Sequence, residues 1–426
     1  MTRTVALAIV LATLPLQAQE APSGDGSTPL HWAAYRDDLA KADELIKAGV
    51  DVNAANDLGA TPLWAASLNG SITMAGRLLD AGANPNAALL SGETPLMAAS
   101  RAGRADVVER LLKKGADPNA RGSRGQTALM WAVAQQHRNA VKVLLSGGAD
   151  IHARTERRSQ MVAVPPHGLP EYNRMIAQGG ETALMFASRI GDAETAALLV
   201  AAGANVNDED AAGVSATTLA AFSGHGEIAR LLLDHGASPG AGRGGFTALH
   251  CAVMRRDEQT VAALLARGAD PNEPVKLWTP TRRSSDDYHF MPALVGASPF
   301  WLAARFTQPG VMRLLAKHGA DPKVIHRSTY VLGEGYQRRE DKTTAVMAAL
   351  GMGGGTAWVP VAAADREGLI LESVMVAVEL GADVNAAGAD GRTALDSAAA
   401  QKYTAVAAYL ESKGAHGSAV DRQRAR

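Results

Sequence analysis

Short apolar runs with helical spacing recur along this chain, each cut off by a glycine and a polar turn. Residues 92–122 hold one complete copy of the pattern, GETPLMAASRAGRADVVERLLKKGADPNARG. Thr94 is placed to cap the orphan N–H groups of a helix beginning at Pro95, where a missing N–H does no harm. The pattern predicts a short helix over Pro95–Arg101, rich in alanine and so permitting close backbone approach. Gly103 breaks it. Val107, Val108, Leu111 and Leu112 then recur at the spacing of an amphipathic second helix. Gly115 ends that helix as a left-handed cap, and Ala116-Asp117-Pro118-Asn119 turns the chain outward. Such a unit has no way to bury its apolar face alone.

Self-comparison extends the unit over most of the chain. Thr94 has counterparts at Thr28, Thr61, Thr127, Thr182, Ser215, Thr247, Ser298, Thr344 and Thr393. Gly115 has counterparts at Gly49, Gly82, Gly148, Gly203, Gly236, Gly268, Gly319, Gly381 and Gly414. In nine of the ten copies the two lie 21 residues apart, and directly joined copies repeat every 33 residues, or 32 once. Thr28-Pro29-Leu30-His31-Trp32-Ala33 opens the first copy, and Thr61-Pro62-Leu63-Trp64-Ala65 and Thr247-Ala248-Leu249-His250-Cys251-Ala252 are close variants. With this period and this Thr-Pro-Leu-His-x-Ala opening, the chain resembles the ankyrin repeat family over residues 25–416. The resemblance implies an all-α fold, a solenoid of about ten helix-turn-helix repeats with projecting hairpin turns. It also gives His31 and His250 a structural part, tying a helix start to its turn.

Composition narrows the picture. Hydrophobic residues make up 47% of the chain but aromatics only 4%, so the core must be built from Ala, Leu and Val. Repeats contact only their neighbours, so 426 residues here predict one array rather than two or three globular domains. A net charge of −1 supplies no bulk attraction to nucleic acid or to an anionic membrane. The first residues stand outside the array. Arg3, the apolar run Val5–Leu14 and Leu16-Gln17-Ala18 predict a signal peptide over residues 1–18, then a linker over 19–24. The run is shorter than the ~20 residues of a membrane span, so the expectation is export to the periplasm or the exterior. Cys251 is the single cysteine, in a first helix, and reads as a small buried hydrophobe. Residues 417–426 read as a polar, disordered tail.

Four insertions depart from the plain repeat, at about 152–178, 273–293, 323–341 and 351–368. The first three fall between helix pairs and should lengthen fingers on one face. The fourth falls between the two helices of the ninth copy, at the opposite end of the pair. The first carries Arg154, Arg157, Arg158, Tyr172 and Arg174; the second Trp278, Arg282, Arg283, Tyr288 and Phe290; the third Arg327, Tyr330, Tyr336, Arg338 and Arg339. Arginine and aromatic residues dominate protein interfaces, and insertions on one face of a repeat array often belong to its binding face. The resemblance further implies exposed side chains at the end of each first helix. Candidate protein-binding residues are therefore Tyr35, Arg36, Arg101, Gln135, Arg189, Phe222, Met254, Arg255, Arg282, Arg283, Tyr288 and Arg305.

Bond chemistry finds little support. The sequence has no zinc-hydrolase histidine pair, no cysteine cluster and no nucleophile elbow. Gly351-Met352-Gly353-Gly354-Gly355-Thr356 lacks the lysine of a phosphate cradle and reads as a flexible loop. Asp286, Asp287 and His289 would have to converge in a pocket with perturbed pKa values to act as an acid–base or metal cluster. The expectation is a monomeric, non-catalytic scaffold, without cofactor or metal, that binds a protein through its concave helix face and extended fingers. The alternatives are an enzyme or metal-binding protein built on the insertions, and a self-assembling structural protein.

Overall fold

The computed structural model describes residues 24–162, 174–279, 290–332 and 337–418. The expected signal peptide, together with Tyr172, Arg282, Arg283, Asp286, Asp287, Tyr288, His289 and Tyr336, lies outside the described residues. The chain divides into two compact units, Met1–Ser123 and Arg124–Arg426.

The first unit holds three helix pairs: α1 (Pro29–Arg36) with α2 (Leu39–Lys47), α3 (Pro62–Asn69) with α4 (Ile72–Asp80), and α5 (Pro95–Arg101) with α6 (Ala105–Lys113). The first helices α1, α3 and α5 pack side by side in one layer, and α2, α4 and α6 form a second. Small residues make the first layer tight. Ala33 and Ala34, Ala65 and Ala66, and Ala98 and Ala99 are all buried, beneath Leu30, Leu63 and Leu96. The second helices contribute Met74, Leu78, Val107 and Leu111 to the space between layers.

The second unit continues the scheme with α7 (Ala128–Ala134), α8 (Arg138–Ser146), α9 (Ala183–Ile190), α10 (Ala193–Ala201), α11 (Ala216–Ser223), α12 (Gly226–Asp234), α13 (Ala248–Met254) and α14 (Glu258–Ala266). It ends with α15 (Pro299–Arg305), α16 (Pro309–Lys317), α17 (Ala345–Ala349), α18 (Ala363–Glu379), α19 (Ala394–Ala400) and α20 (Thr404–Ser412). Odd-numbered helices again pack on odd, and from α10 onward even on even. Two insertions carry strands. β1 (Arg158–Val162) pairs antiparallel with β2 (Arg174–Gln178), and β3 (His326–Leu332) with β4 (Gln337–Thr343), in register His326↔Thr343. The expected all-α array is thus a helical stack with two β-hairpins for long fingers. At the far end Ser418, expected in a disordered tail, is buried, and its N–H donates to Asp396 Oδ1 at 3.0 Å.

Two polar devices recur. A Thr or Ser precedes each first helix, and its hydroxyl typically accepts the N–H three residues on, as Thr61 does from Trp64 and Ser298 from Trp301. Between fingers, an asparagine side chain splices neighbouring turns. Asn53 donates to the Gly82 carbonyl at 3.2 Å and accepts the Asn84 N–H at 2.7 Å. Asn86 does the same with Gly115 and Asp117, Asn207 with Gly236 and Ser238, Asn272 with Gly319 and Asp321, and Asn385 with Gly414 and His416. Each splice satisfies a carbonyl at a helix end that would otherwise be orphaned.

His31 and His250 perform the structural task expected of them. Each Nδ1 accepts the N–H of its capping threonine at 3.0 Å, and each Nε2 donates across to the next finger, at 2.8 Å to Ala60 and 2.8 Å to Glu273. The ring is a neutral Nε2–H tautomer, because a proton on Nδ1 would face another N–H. Burial pushes His31 and His326 below the usual histidine value and His250 down to about 4. The unfolded chain therefore takes up protons that the folded chain refuses. Stability is fully present above pH ~6.5 and falls as pH drops from there toward 4, with His250 alone costing on the order of 2 kcal/mol by pH 5. Urea unfolding at pH 7, 6 and 5 measures this; the His250→Gln chain should show a flatter pH dependence, and an equal slope in both chains refutes the assignment.

Candidate functional site

In the first unit the end of α1 is open. Tyr35 is 38% exposed, its ring set edge-on to Trp32 at 6.2 Å, while the Arg36 guanidinium lies 5.6 Å over the Trp32 ring. Asn69 of α3 donates to the Tyr35 carbonyl, so this end is pinned to its neighbour at the backbone while the side chains face water. Arg101 at the end of α5 pairs with Glu93 at 2.8 Å. Burial raises the Glu93 pKa, and Arg101 opposes that shift. The finger tips add two exposed leucines, Leu58 at 49% and Leu90 at 82%, tied together by a Leu90 N–H donating to the Leu58 carbonyl at 2.9 Å.

The second unit treats the same positions differently. Gln135 and Arg189 are exposed, and Arg189 pairs with Glu181 and lies 5.9 Å over the Phe186 ring. Met254 is only 2% exposed, so its place among surface-binding residues is corrected. It closes α13, which is flanked by α11 on one side and α15 on the other, and burying an apolar side chain there is favourable.

Phe222, Arg255 and Arg305 are brought together by a segment of the same chain. Residues 351–362, which join α17 to α18, lie back over this region. The Trp358 ring sits 5.1 Å from Phe222 at 73° and 4.9 Å from Phe290 at 60°. Phe246 completes the cluster, 6.1 Å from Phe222 and 5.0 Å from Phe290. The Arg255 guanidinium lies 5.6 Å over the Trp358 ring while its Nε donates to the Phe222 carbonyl at 2.8 Å. Arg305 donates through Nη2 to the carbonyls of Gly353 and Gly355 at 3.2 and 3.0 Å, and burial lowers its pKa.

The second and third insertions furnish the other wall. Gly354 N–H donates to Asp341 Oδ2 at 2.9 Å, and the Tyr330 hydroxyl donates to the same oxygen at 2.8 Å. Burial, then that bond and the carboxylate charge, push Tyr330 up to about 12. His326 stacks on Trp301 at 4.1 Å and bonds the Ala293 carbonyl at 3.0 Å through Nε2. The fourth insertion lies between α17 and α18, as expected, and it meets residues of the second and third. The glycine-rich stretch is not a loose loop. A Cβ at Gly354 would stand 2.4 Å from Ala293 Cβ, and one at Gly355 2.5 Å from Leu294 Cδ2. Trp358 was the residue missed in the sequence. The signal for it was an apolar Trp358-Val359-Pro360-Val361 directly after the glycine-rich stretch, with the one aromatic residue of the insertion.

Among the described residues, no group of three or more His, Cys, Asp or Glu is placed to hold a metal. Cys251 is fully buried and burial pushes its thiol pKa up, away from a nucleophilic thiolate. An open depression between α14 and α16 is lined by Arg256, Asp257 and Glu258, and the first two are engaged within the fold. Arg256 donates to the Phe306 carbonyl at 2.6 Å and Asp257 caps α14 by accepting the Thr260 N–H at 3.0 Å. No described helix is long and apolar enough to cross a membrane.

The contrast between Tyr35 and Met254 is measurable. Met254→Ala should destabilise the chain by about 2–5 kcal/mol, as deletion of a buried side chain does, and Tyr35→Ala by less than ~1 kcal/mol. Equal losses in urea unfolding would overturn the burial assignment.

Comparison with known proteins follows the same lines. The family described as ankyrin repeats (3 copies) matches residues 6–89, 86–155, 168–243 and 184–275. An ankyrin repeat-containing protein of Treponema pallidum (strain Nichols) is 43% identical over 94 residues, which is 22% of this chain and 32% of that protein. The chain thus spans about a third of that relative's length. Stacked helix pairs, threonine caps, asparagine splices and these matches together mean that the chain belongs to the ankyrin repeat family, whose repeats serve protein–protein interaction.

Proposed function

We propose that this chain is an exported, non-catalytic scaffold of ten ankyrin repeats, one for each helix pair, that binds another protein. The observation that carries the reading is the open end of α1, where Tyr35 and Arg36 stand exposed against Trp32. Large, stiff aromatic area with a charged handle is what interface anchors are made of, and it loses little side-chain entropy on binding. Within the first unit the exposed finger leucines Leu58 and Leu90 supply further contact area, and Gln135 and Arg189 are separate exposed candidates in the second. Arg282, Arg283 and Tyr288 remain candidates on residue type alone. Buried His250 and Cys251 hold the stack and take no part in binding.

Export is part of the proposal and rests on Arg3, the Val5–Leu14 run and the Ala18 cleavage position. A self-assembling alternative draws on the first hairpin, where Met161 and Met175 are cross-strand partners, 60% and 58% exposed.

The test is a capture experiment from the envelope and extracellular fractions with the native chain and a Tyr35→Ala/Arg36→Ala chain. A partner held by the first and released at least about tenfold more readily by the second is the expected result. Mass spectrometry of the protein recovered from those fractions should show a chain beginning after Ala18. Retention of the partner by both chains rejects the α1 surface. Recovery of the intact precursor in the cytoplasm alone rejects export. A dimer in gel filtration that Met161→Lys dissolves would replace the partner reading with self-assembly.

A further inference from the structure

The segment between α17 and α18 lies on the surface of its own unit in the manner of a bound peptide. Only Met352 and Trp358 in residues 351–360 are buried; Thr356, Ala357 and Pro360 are exposed. Its main chain is recognised by groups from elsewhere. Arg305 donates to the Gly353 and Gly355 carbonyls, and Asp341 accepts the Gly354 N–H. Its one large side chain, Trp358, enters a box of Phe222, Phe246 and Phe290 under the Arg255 guanidinium. Main-chain hydrogen bonds that give affinity, with one aromatic pocket that gives specificity, are the two components of extended-peptide recognition.

The flanking elements fit an attached ligand more than an ordinary loop. α17 is cut short at Ala349, and α18 runs 17 residues, with residues 363–368 exposed. Four of the five residues from Gly351 to Gly355 are glycine. Gly354 and Gly355 let the backbone lie flat, since a Cβ on either would strike Ala293 or Leu294. The same glycines make docking entropically costly, because no residue loses more conformational freedom on being fixed. The contacts set against that cost are those at Gly353, Gly354, Gly355 and Trp358.

We propose that residues 351–360 are an intramolecular ligand occupying a peptide-binding face built by α11, α13, α15 and the second and third insertions. The face accepts in trans an extended partner segment of the same chemistry, a glycine-rich stretch followed within a few residues by tryptophan. This deepens the interaction reading, on which it rests for the existence of a partner, and it adds a control. A segment docked in 99 of 100 molecules raises an incoming ligand's apparent dissociation constant about 100-fold.

The test uses the full chain and a synthetic fluorescent peptide of residues 350–361. In a Gly354→Val/Gly355→Val/Trp358→Ala chain the attached segment is expelled, and the peptide should bind at least about tenfold more tightly than to the native chain. A peptide carrying Trp358→Ala should bind neither. Native-strength or weaker peptide binding to a variant that still melts as a cooperative helical protein overturns the proposal. Hydrogen exchange on the native chain provides the reading that needs no variant. The Gly354 amide should exchange through a local opening, well ahead of the α13 and α15 amides. Exchange of Gly354 only in step with those helices overturns the proposal even if the variant fails to fold. Because the peptide is the chain's own, these outcomes are independent of whether an outside partner is captured.

Discussion

Every feature of this molecule depends on the fact that a helix pair of this size leaves apolar surface open toward its neighbours. Leu63 is fully buried because α1 and α5 lie against α3 on either side, and α3 contributes little that would bury it alone. Stability is therefore approximately a chain of neighbour terms, with no central core to fall back on. The asparagine splices fix the register of that chain. Each uses one side chain to satisfy a glycine carbonyl and an N–H in the following finger, so a slip would leave both groups unpaired.

The helices were legible because the residues that end them are chemically narrow. Only a few residues cap a helix start as Thr94 does, and the left-handed φ of +88° at Gly115 disfavours any residue with a Cβ. The helix expected over Pro95–Arg101 has those bounds in the structure. Trp64 and Trp301 are buried in the stack. Trp32 of α1 and Trp131 of α7 are half-exposed instead.

The candidate surface was legible only where local register decides exposure. Tyr35, Arg36 and Arg189 satisfy that condition. Phe222, Arg255 and Arg305 do not, because their surroundings are set by Trp358 and the glycine run, far along the chain. Helical periodicity carries no information about such contacts. The glycine run was misread for a related reason. Its composition reports conformational freedom, but the structure uses glycine for close approach to Ala293 and Leu294, a steric need that only the partner surface reveals.

The ends of the second insertion carry one more consequence. Thr279 N–H donates to the Phe290 carbonyl at 2.9 Å, and Phe290 N–H donates back to Thr279 Oγ1 at 2.7 Å, while Phe290 itself is fully buried. The chain is thus clasped to itself at these two residues. Displacing either residue would disturb the aromatic cluster as well, since Phe290 packs against Phe246 and Trp358, so this pair of hydrogen bonds ties the second insertion to the seat of the fourth.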